Sequence, residues 1–219
     1  MAAQALAFVA MTAARSGEVR GMAWEEITLL PTDAQEDQVG VWTVPAARMK
    51  NGREHRVPLT TEAVTLLKAL PRLEESPYVF FAPRGGILSD MSLSAVMRRM
   101  QEAEVKAGRS GFLDPQSKRP AVPHGLRSTF RQWAAERGYP RDMAEMALAH
   151  FIGSDVERAY QRSDILARRR DMMADWEAFL RGETAQSRNV VQFGWRGRQE
   201  LSSRRRPVQV SGSSMLFWT

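Results

Sequence analysis

Residues Ala2 to Met11 are apolar nearly all round. A helix with no polar face has nothing to offer water, so it must be buried, and the rest of the 219-residue chain has to cover it. That length suits one substantial domain or two small ones. A hydrophobic content of 43% supports an ordinary packed core. The same segment does not read as a secretory signal, because no basic residue precedes Ala5 to Ala14 and Arg15 follows at once. No apolar run is long enough to cross a bilayer, so no membrane partner is expected. The chain has no cysteine, which removes disulfides, thiolate metal sites and a thiol nucleophile, and fits the cytoplasm.

After a break near Ala14 and Arg15, Ser16 to Trp24 reads as a second helix. Ile27 to Leu30 and Val39 to Val44 read as strands joined by the polar loop Pro31 to Gln38. Asn51-Gly52 is a hairpin signal, because both central positions of that turn favour positive φ, and it puts Lys50 at the tip, one residue before the turn. Thr60 or Thr61 caps a helix to Leu70, stopped by Pro71. Tyr78 to Phe81 is extended, Ser89 to Ala107 helical, and Gly108 to Pro123 a loop. His124 to Arg137 forms a helix closed by Gly138. Pro140 opens another that runs to about Ala149. A short helix around Asp155 to Gln161 follows, and Ser163 or Asp164 caps a last one to Leu180. The expected fold is mainly α with a small antiparallel β-sheet near the N-terminus. Residues 1–182 form the body, and 183–219 a basic, flexible tail rich in Arg, Ser and Gly.

The net charge of +6 is unevenly spread: residues 1–180 carry +1 and residues 181–219 carry +5. Net charge therefore says little about whether the body binds nucleic acid. Arginine outnumbers lysine 27 to 4, which suits bidentate phosphate contacts but also follows from a GC-rich genome.

Four local features carry chemistry. Arg15 sits at the junction of two helices, where a backbone break aims a side chain outward, and Glu18 lies one turn on to orient it. Alone, this reads as a surface arginine with an i,i+3 partner. Lys50, on the hairpin, is placed to protonate a leaving oxygen, although exposed hairpin lysines mostly serve solubility. His124 and Arg127 are three apart and share a helix face; chance supplies about 0.4 such pairs in a chain of this composition. His150 is followed ten residues later by Tyr160 in a polar, arginine-flanked segment. By contrast, Tyr78 lies in an apolar segment and Tyr139 in a turn beside Pro140. Cleaving a phosphodiester without a metal needs this set: fixed cationic donors for the non-bridging oxygens, a nucleophile, and an acid for the 5′ oxygen.

The order Arg, hairpin Lys, His-x-x-Arg, His, Tyr resembles the catalytic domain of the tyrosine recombinases, the phage integrases. Thr12-Ala-Ala-Arg15-Ser-Gly-Glu18-Val, ending in Trp24, resembles that family's first arginine box. Met49-Lys50-Asn51-Gly52, leading to Val57-Pro58-Leu59, resembles its hairpin lysine. His124-Gly-Leu-Arg127 and Leu-Ala-His150 resemble its second box, and Ala-Tyr160-Gln-Arg-Ser its nucleophile. The step from His150 to Tyr160 is similar to that of prophage integrases that insert at tRNA genes. The resemblance covers about residues 5–180.

The resemblance implies site-specific integration or excision of phage DNA through a covalent 3′-phosphotyrosine intermediate. Arg15, Lys50, His124, Arg127, His150 and Tyr160 would be catalytic and Glu18 supporting, with no cofactor and no metal. The partners implied are double-stranded DNA, further copies of the chain in a synaptic tetramer, and accessory DNA-bending proteins, in the cytoplasm of a bacterial or phage-infected cell. The arm-binding and core-binding domains that precede the catalytic domain in full-length integrases are expected to be absent here. Three alternatives remain at this stage: a non-catalytic DNA-binding remnant, a DNA-relaxing topoisomerase using the same chemistry, and a metal hydrolase built on His55, His124 and His150, whose spacings do not resemble a ligand pair.

Overall fold

The computed structural model describes residues 1–30, 39–150 and 162–183, with side chains of the last segment described from 166 onward. The chain divides into a compact unit, Met1–Ala185, and a second unit, Gln186–Thr219, which lies outside the described residues together with most of the expected tail. Helix α1 (Ala2–Thr12) ends at Ala13, whose backbone is left-handed at φ 52°. Helix α2 (Ser16–Arg20) starts three residues later with Arg15 at its N-cap. The sequence reading carried this helix to Trp24, and the structure stops it at Gly21. The cause is tertiary: Val79 donates to the Met22 carbonyl at 2.8 Å, Trp24 donates to the Pro77 carbonyl at 3.0 Å, and Ala23 forms a bridge with Tyr78. These pairings pull residues 22–24 out of the helix. Gly21 permits a close approach as well, since a Cβ there would lie 2.9 Å from Nη1 of Arg48.

Strands β1 (Ile27–Leu29), β2 (Gly40–Val44) and β3 (His55–Leu59) form an antiparallel sheet in that order. Trp42 pairs with Ile27 on one side and Val57 on the other, and Val44 pairs with His55. The loop expected over 31–38 lies outside the described residues. The β2–β3 connection differs from the expected two-residue turn. A 3-10 turn, Ala46–Arg48, precedes the reversal, and Gly52 then donates to the Met49 carbonyl at 3.0 Å. Lys50 and Asn51 are thus the central residues, and of the four only Gly52 takes positive φ, at 63°. Lys50 sits inside the turn rather than ahead of it. Arg48 accounts for the shift: its guanidinium binds the Glu26 carboxylate and donates to the Glu18 carbonyl at 2.9 Å, which fixes the 3-10 turn first.

The remaining helices are α3 (Thr61–Ala69), α4 (Ser92–Lys106), α5 (Gly125–Glu136), α6 (Arg141–Ala147) and α7 (Arg162–Leu180). Thr60 is the N-cap of α3 by position, but its hydroxyl caps nothing. Instead, Glu177 of α7 accepts the Glu62 backbone N–H at 3.2 Å. Ser163 and Asp164 lie within the first turn of α7 rather than at its cap. The short helix expected over 155–161 lies outside the described residues.

Helix α1 packs against α2, α3, α4, α5, α7 and β3, which is why it tolerates apolar residues all round. Ala5, Phe8 and Val9 are wholly buried. Two hydrophobic clusters meet along it. The first joins α1, the sheet, α3 and α4, with Phe8 against Trp42 at 5.7 Å and Phe80 at 5.5 Å. The second joins α5, α6 and α7, with Trp176 against Trp133 at 5.1 Å and edge-on to Phe130 at 5.3 Å. Trp176 donates to the Ala10 carbonyl at 2.8 Å, tying α7 to α1. Ala13 belongs to the second cluster and Ala14 to the first, so the α1–α2 break falls on the boundary between them.

Candidate active site

Arg15 emerges from that break. Its backbone N–H donates to Oε2 of Glu18 at 2.9 Å and its Nη1 to Oε1 at 2.7 Å. Glu18 is buried while about a third of the Arg15 side chain is exposed. One carboxylate therefore closes the first turn of α2 and holds a guanidinium at the surface, whose other N–H groups have no partner among the described residues and can serve a ligand.

Arg127 reaches the same place from α5. It is 4% exposed. Its Nη1 donates to the Ala13 carbonyl, two residues before Arg15, and its Nη2 donates at 2.6 Å to the carbonyl of Leu148, two residues before His150. Nη2 also lies 3.3 Å from Nε2 of His150. One fork thus joins segments that are remote in the chain. Burial depresses the Arg127 guanidinium to about 10, and the neighbouring charge of Arg15 adds to this against partial relief from Glu18 and Glu145. It stays protonated at neutral pH, and two guanidinium groups in mutual repulsion favour a shared anion between them.

His150 follows Ala149, which takes φ 53° where α6 unwinds. Nδ1 of His150 lies 2.5 Å from Oε2 of Glu145, whose Oε1 accepts from Nε of Arg131 at 2.6 Å. Burial would raise the Glu145 carboxyl, but hydrogen bonds from His150 and Arg131 outweigh it and hold Glu145 below its ordinary value. An ionised carboxylate only accepts, so Nδ1 is the donor, and a neutral ring turns its Nε2 lone pair toward Arg127.

The structure therefore brings Arg15, Glu18, Arg127 and His150 together. Lys50 is exposed on the β2–β3 turn, and His124 is exposed at the N-cap of α5, without a side-chain cap hydrogen bond. Tyr160 lies outside the described residues. Among the described residues no group of three or more His, Asp or Glu is arranged to hold a metal ion.

Two residues join the site that the sequence motifs did not single out for it. His55, the first residue of β3, is half-buried, close to the Ala147 backbone and within reach of the charges of Arg169, Arg127 and Arg15. Arg169 on α7 is 6% exposed. Its spacing from Met172, Met173 and Trp176 is the i, i+3, i+4, i+7 pattern of a core-facing stripe, and this was the available signal. Burial, followed by the charges of Arg169, Arg127 and Arg15, depresses His55 to about 3, against a raising contribution from Ala147. Between pH 3 and 6.5 the unfolded chain thus binds a proton that the folded chain refuses. This contribution to stability is complete above about pH 6.5 and is lost as the pH falls. Unfolding measured against pH is expected to lose up to about 1.4 kcal/mol per unit over that range, and His55→Gln is expected to flatten the slope. An equally steep profile in the variant would place the titrating group elsewhere.

A model of the phage integrase family matches residues 2–165, a span that includes Tyr160. Over 184 residues the chain is 34% identical to prophage integrase IntA of Escherichia coli (strain K12), covering 83% of this chain and 38% of that protein. It is 32% identical over 174 residues to prophage integrase IntZ of the same strain, covering 78% and 38%. To the integrase of Shigella phage Sf6 it is 27% identical over 170 residues, covering 77% and 39%. Among solved structures, the XerH site-specific recombinase bound to palindromic difH substrate is 16% identical with a TM-score of 0.47, covering 80% of this chain and 46% of that one. The chain belongs to the phage integrase family. It spans about two fifths of the length of the curated relatives it matches.

Proposed function

We propose that this chain carries the catalytic apparatus of a site-specific DNA recombinase, which cuts and rejoins double-stranded DNA through a tyrosine. The single observation that carries the reading is the Arg127 fork, which links the carbonyls just ahead of Arg15 and His150 at one place on the fold. Two guanidiniums beside a carboxylate-oriented imidazole suit a phosphate that gains charge in its transition state.

In this mechanism Arg15 and Arg127 hold the non-bridging oxygens of the scissile phosphate. The Tyr160 oxygen forms a bond to phosphorus as the bond to the 5′ oxygen breaks. The phenol proton leaves through the imidazoles, His124 and His150, because a group of ordinary pKa about 10 must lose it during attack. Lys50 gives a proton to the departing 5′ oxygen. The phosphodiester bond energy stays in the 3′-phosphotyrosine, so rejoining by a 5′ hydroxyl of the partner strand needs no nucleotide. Phosphate contacts of this kind predict strongly salt-dependent DNA binding. A synaptic tetramer and accessory DNA-bending proteins belong to the same proposal.

The test is incubation with a nicked half-site whose short 5′ strand diffuses away after cleavage. A denaturant-resistant protein–DNA adduct is the expected result. A gel shift without adduct would make the chain a DNA-binding remnant. Relaxation of supercoiled plasmid by monomers, without site preference, would favour the topoisomerase reading.

A further inference from the structure

Arg131 stands one turn beyond Arg127 on α5, and the two side chains bracket a pair formed where α6 ends. The contacts run in series. Nε of Arg131 donates to Oε1 of Glu145 at 2.6 Å, Oε2 of Glu145 meets Nδ1 of His150 at 2.5 Å, and Nε2 of His150 meets Nη2 of Arg127 at 3.3 Å. The main chain secures the middle of the series, because the His150 N–H donates to the Glu145 carbonyl at 2.9 Å. A guanidinium has donors and no acceptor, so both ends of the series are donors. One arrangement satisfies every contact between them. Glu145 accepts at both oxygens, His150 carries its proton on Nδ1, and Nε2 presents a lone pair.

We propose that Arg131 is a positioning residue for strand cleavage: by engaging Oε1 of Glu145 it leaves Oε2 to accept from His150, and so keeps Nε2 of that imidazole as a lone pair facing the phosphate site. Nε2 is then the nitrogen that takes the Tyr160 proton as the phenol oxygen bonds to phosphorus. The ring becomes an imidazolium, and the Glu145 carboxylate lies against its positive charge. Arg131 acts through Glu145 and His150.

The inference rests on the recombinase reading, and its test separates the two. Glu145→Gln, Arg131→Met and the double variant are compared with the parent by single-turnover adduct formation on the nicked half-site. Nitrogen NMR of the imidazole rings reports in each protein which nitrogen carries the proton. The chain has three histidines, and the His150 signals are those lost in His150→Gln. In Glu145→Gln the amide oxygen stays on the Arg131 side, since Arg131 only donates, and the NH2 group turns to Nδ1. The ring proton is thereby driven to Nε2, against the Nη2 donor of Arg127. Adduct formation is expected to fall about a hundredfold.

Methionine at position 131 removes that constraint. It is accommodated without repacking, because residue 131 lines a cavity of about 540 Å³ with Ser128, Gln132 and Arg141. In the double variant the amide can turn its oxygen to Nδ1, so the proton is expected back on Nδ1 and adduct formation about tenfold faster than in Glu145→Gln. Arg131→Met alone is expected to slow cleavage by about threefold to tenfold, the loss of one hydrogen bond to Glu145. A purely structural role for Arg131 predicts that the second substitution adds to the damage of the first. A double variant no faster than Glu145→Gln therefore overturns the proposal. So does a parent protein whose His150 carries its proton on Nε2, or a Glu145→Gln variant that cleaves like the parent. If the parent forms no adduct, the recombinase reading fails, and the position of the ring proton across the four proteins alone decides the role of Arg131.

Discussion

Arg127→Lys is expected to lose about 2–4 kcal/mol of fold stability and at least about a hundredfold in the rate of strand cleavage. The two losses have different origins. Two arms of the fork serve carbonyls 114 and 21 residues away in the chain, and both contacts are buried. A lysine ammonium is one atom with three donors and cannot reach both carbonyls at once, so a buried acceptor loses its partner. Cleavage suffers because the Nε and remaining Nη1 protons are the donors left for a phosphate, and their planar spacing is lost. Urea unfolding and single-turnover cleavage at saturating DNA separate the effects. Cleavage near the parental rate in a destabilised variant would assign Arg127 a structural role alone.

Position in the fold explains why the arginines are so placed. Ala13 and Ala14 belong to different hydrophobic clusters, and Arg15 leaves the chain where those clusters part. Arg127 comes from a helix of the second cluster and reaches across to that break. Any shift of one cluster relative to the other would be felt first at this fork, so the phosphate site and the packing of the two halves are coupled through one side chain.

Local pattern revealed most of the elements and little of their ends. The burial of α1 followed from its lack of a polar face, and the strands from their alternation. The end of α2 was not legible, because the Tyr78 segment that unwinds residues 22–24 lies more than fifty positions away. The reversal at Lys50 depends on Arg48 meeting Glu26, again a tertiary contact. Arg15 and Glu18 were readable as an i,i+3 pair because a helical turn brings them together whatever surrounds it. His55 has no such local signature, and Arg169 shows itself only as the first member of the stripe it forms with Met172, Met173 and Trp176 on the core-facing side of α7.

Tyr160→Phe is expected to abolish adduct formation altogether while leaving DNA binding within about a factor of two, since the change removes one oxygen and no charge. The chain has three tyrosines and no cysteine. Tyr139 donates its hydroxyl to Asp175 and packs tilted against Trp133 at 5.5 Å, beside the aromatic cluster of the second core. Tyr78 is held in the bridge opposite Ala23, on the segment between α3 and α4. A phenol, with pKa about 10, is a more acidic nucleophile than a serine or threonine hydroxyl and the better leaving group on rejoining. The phenylalanine variant should therefore show an intact gel shift and no covalent band, with Tyr78→Phe and Tyr139→Phe as controls that retain it. A persistent covalent band in Tyr160→Phe would transfer the nucleophile to another residue; its disappearance in Tyr139→Phe, with the fold intact, would name that residue.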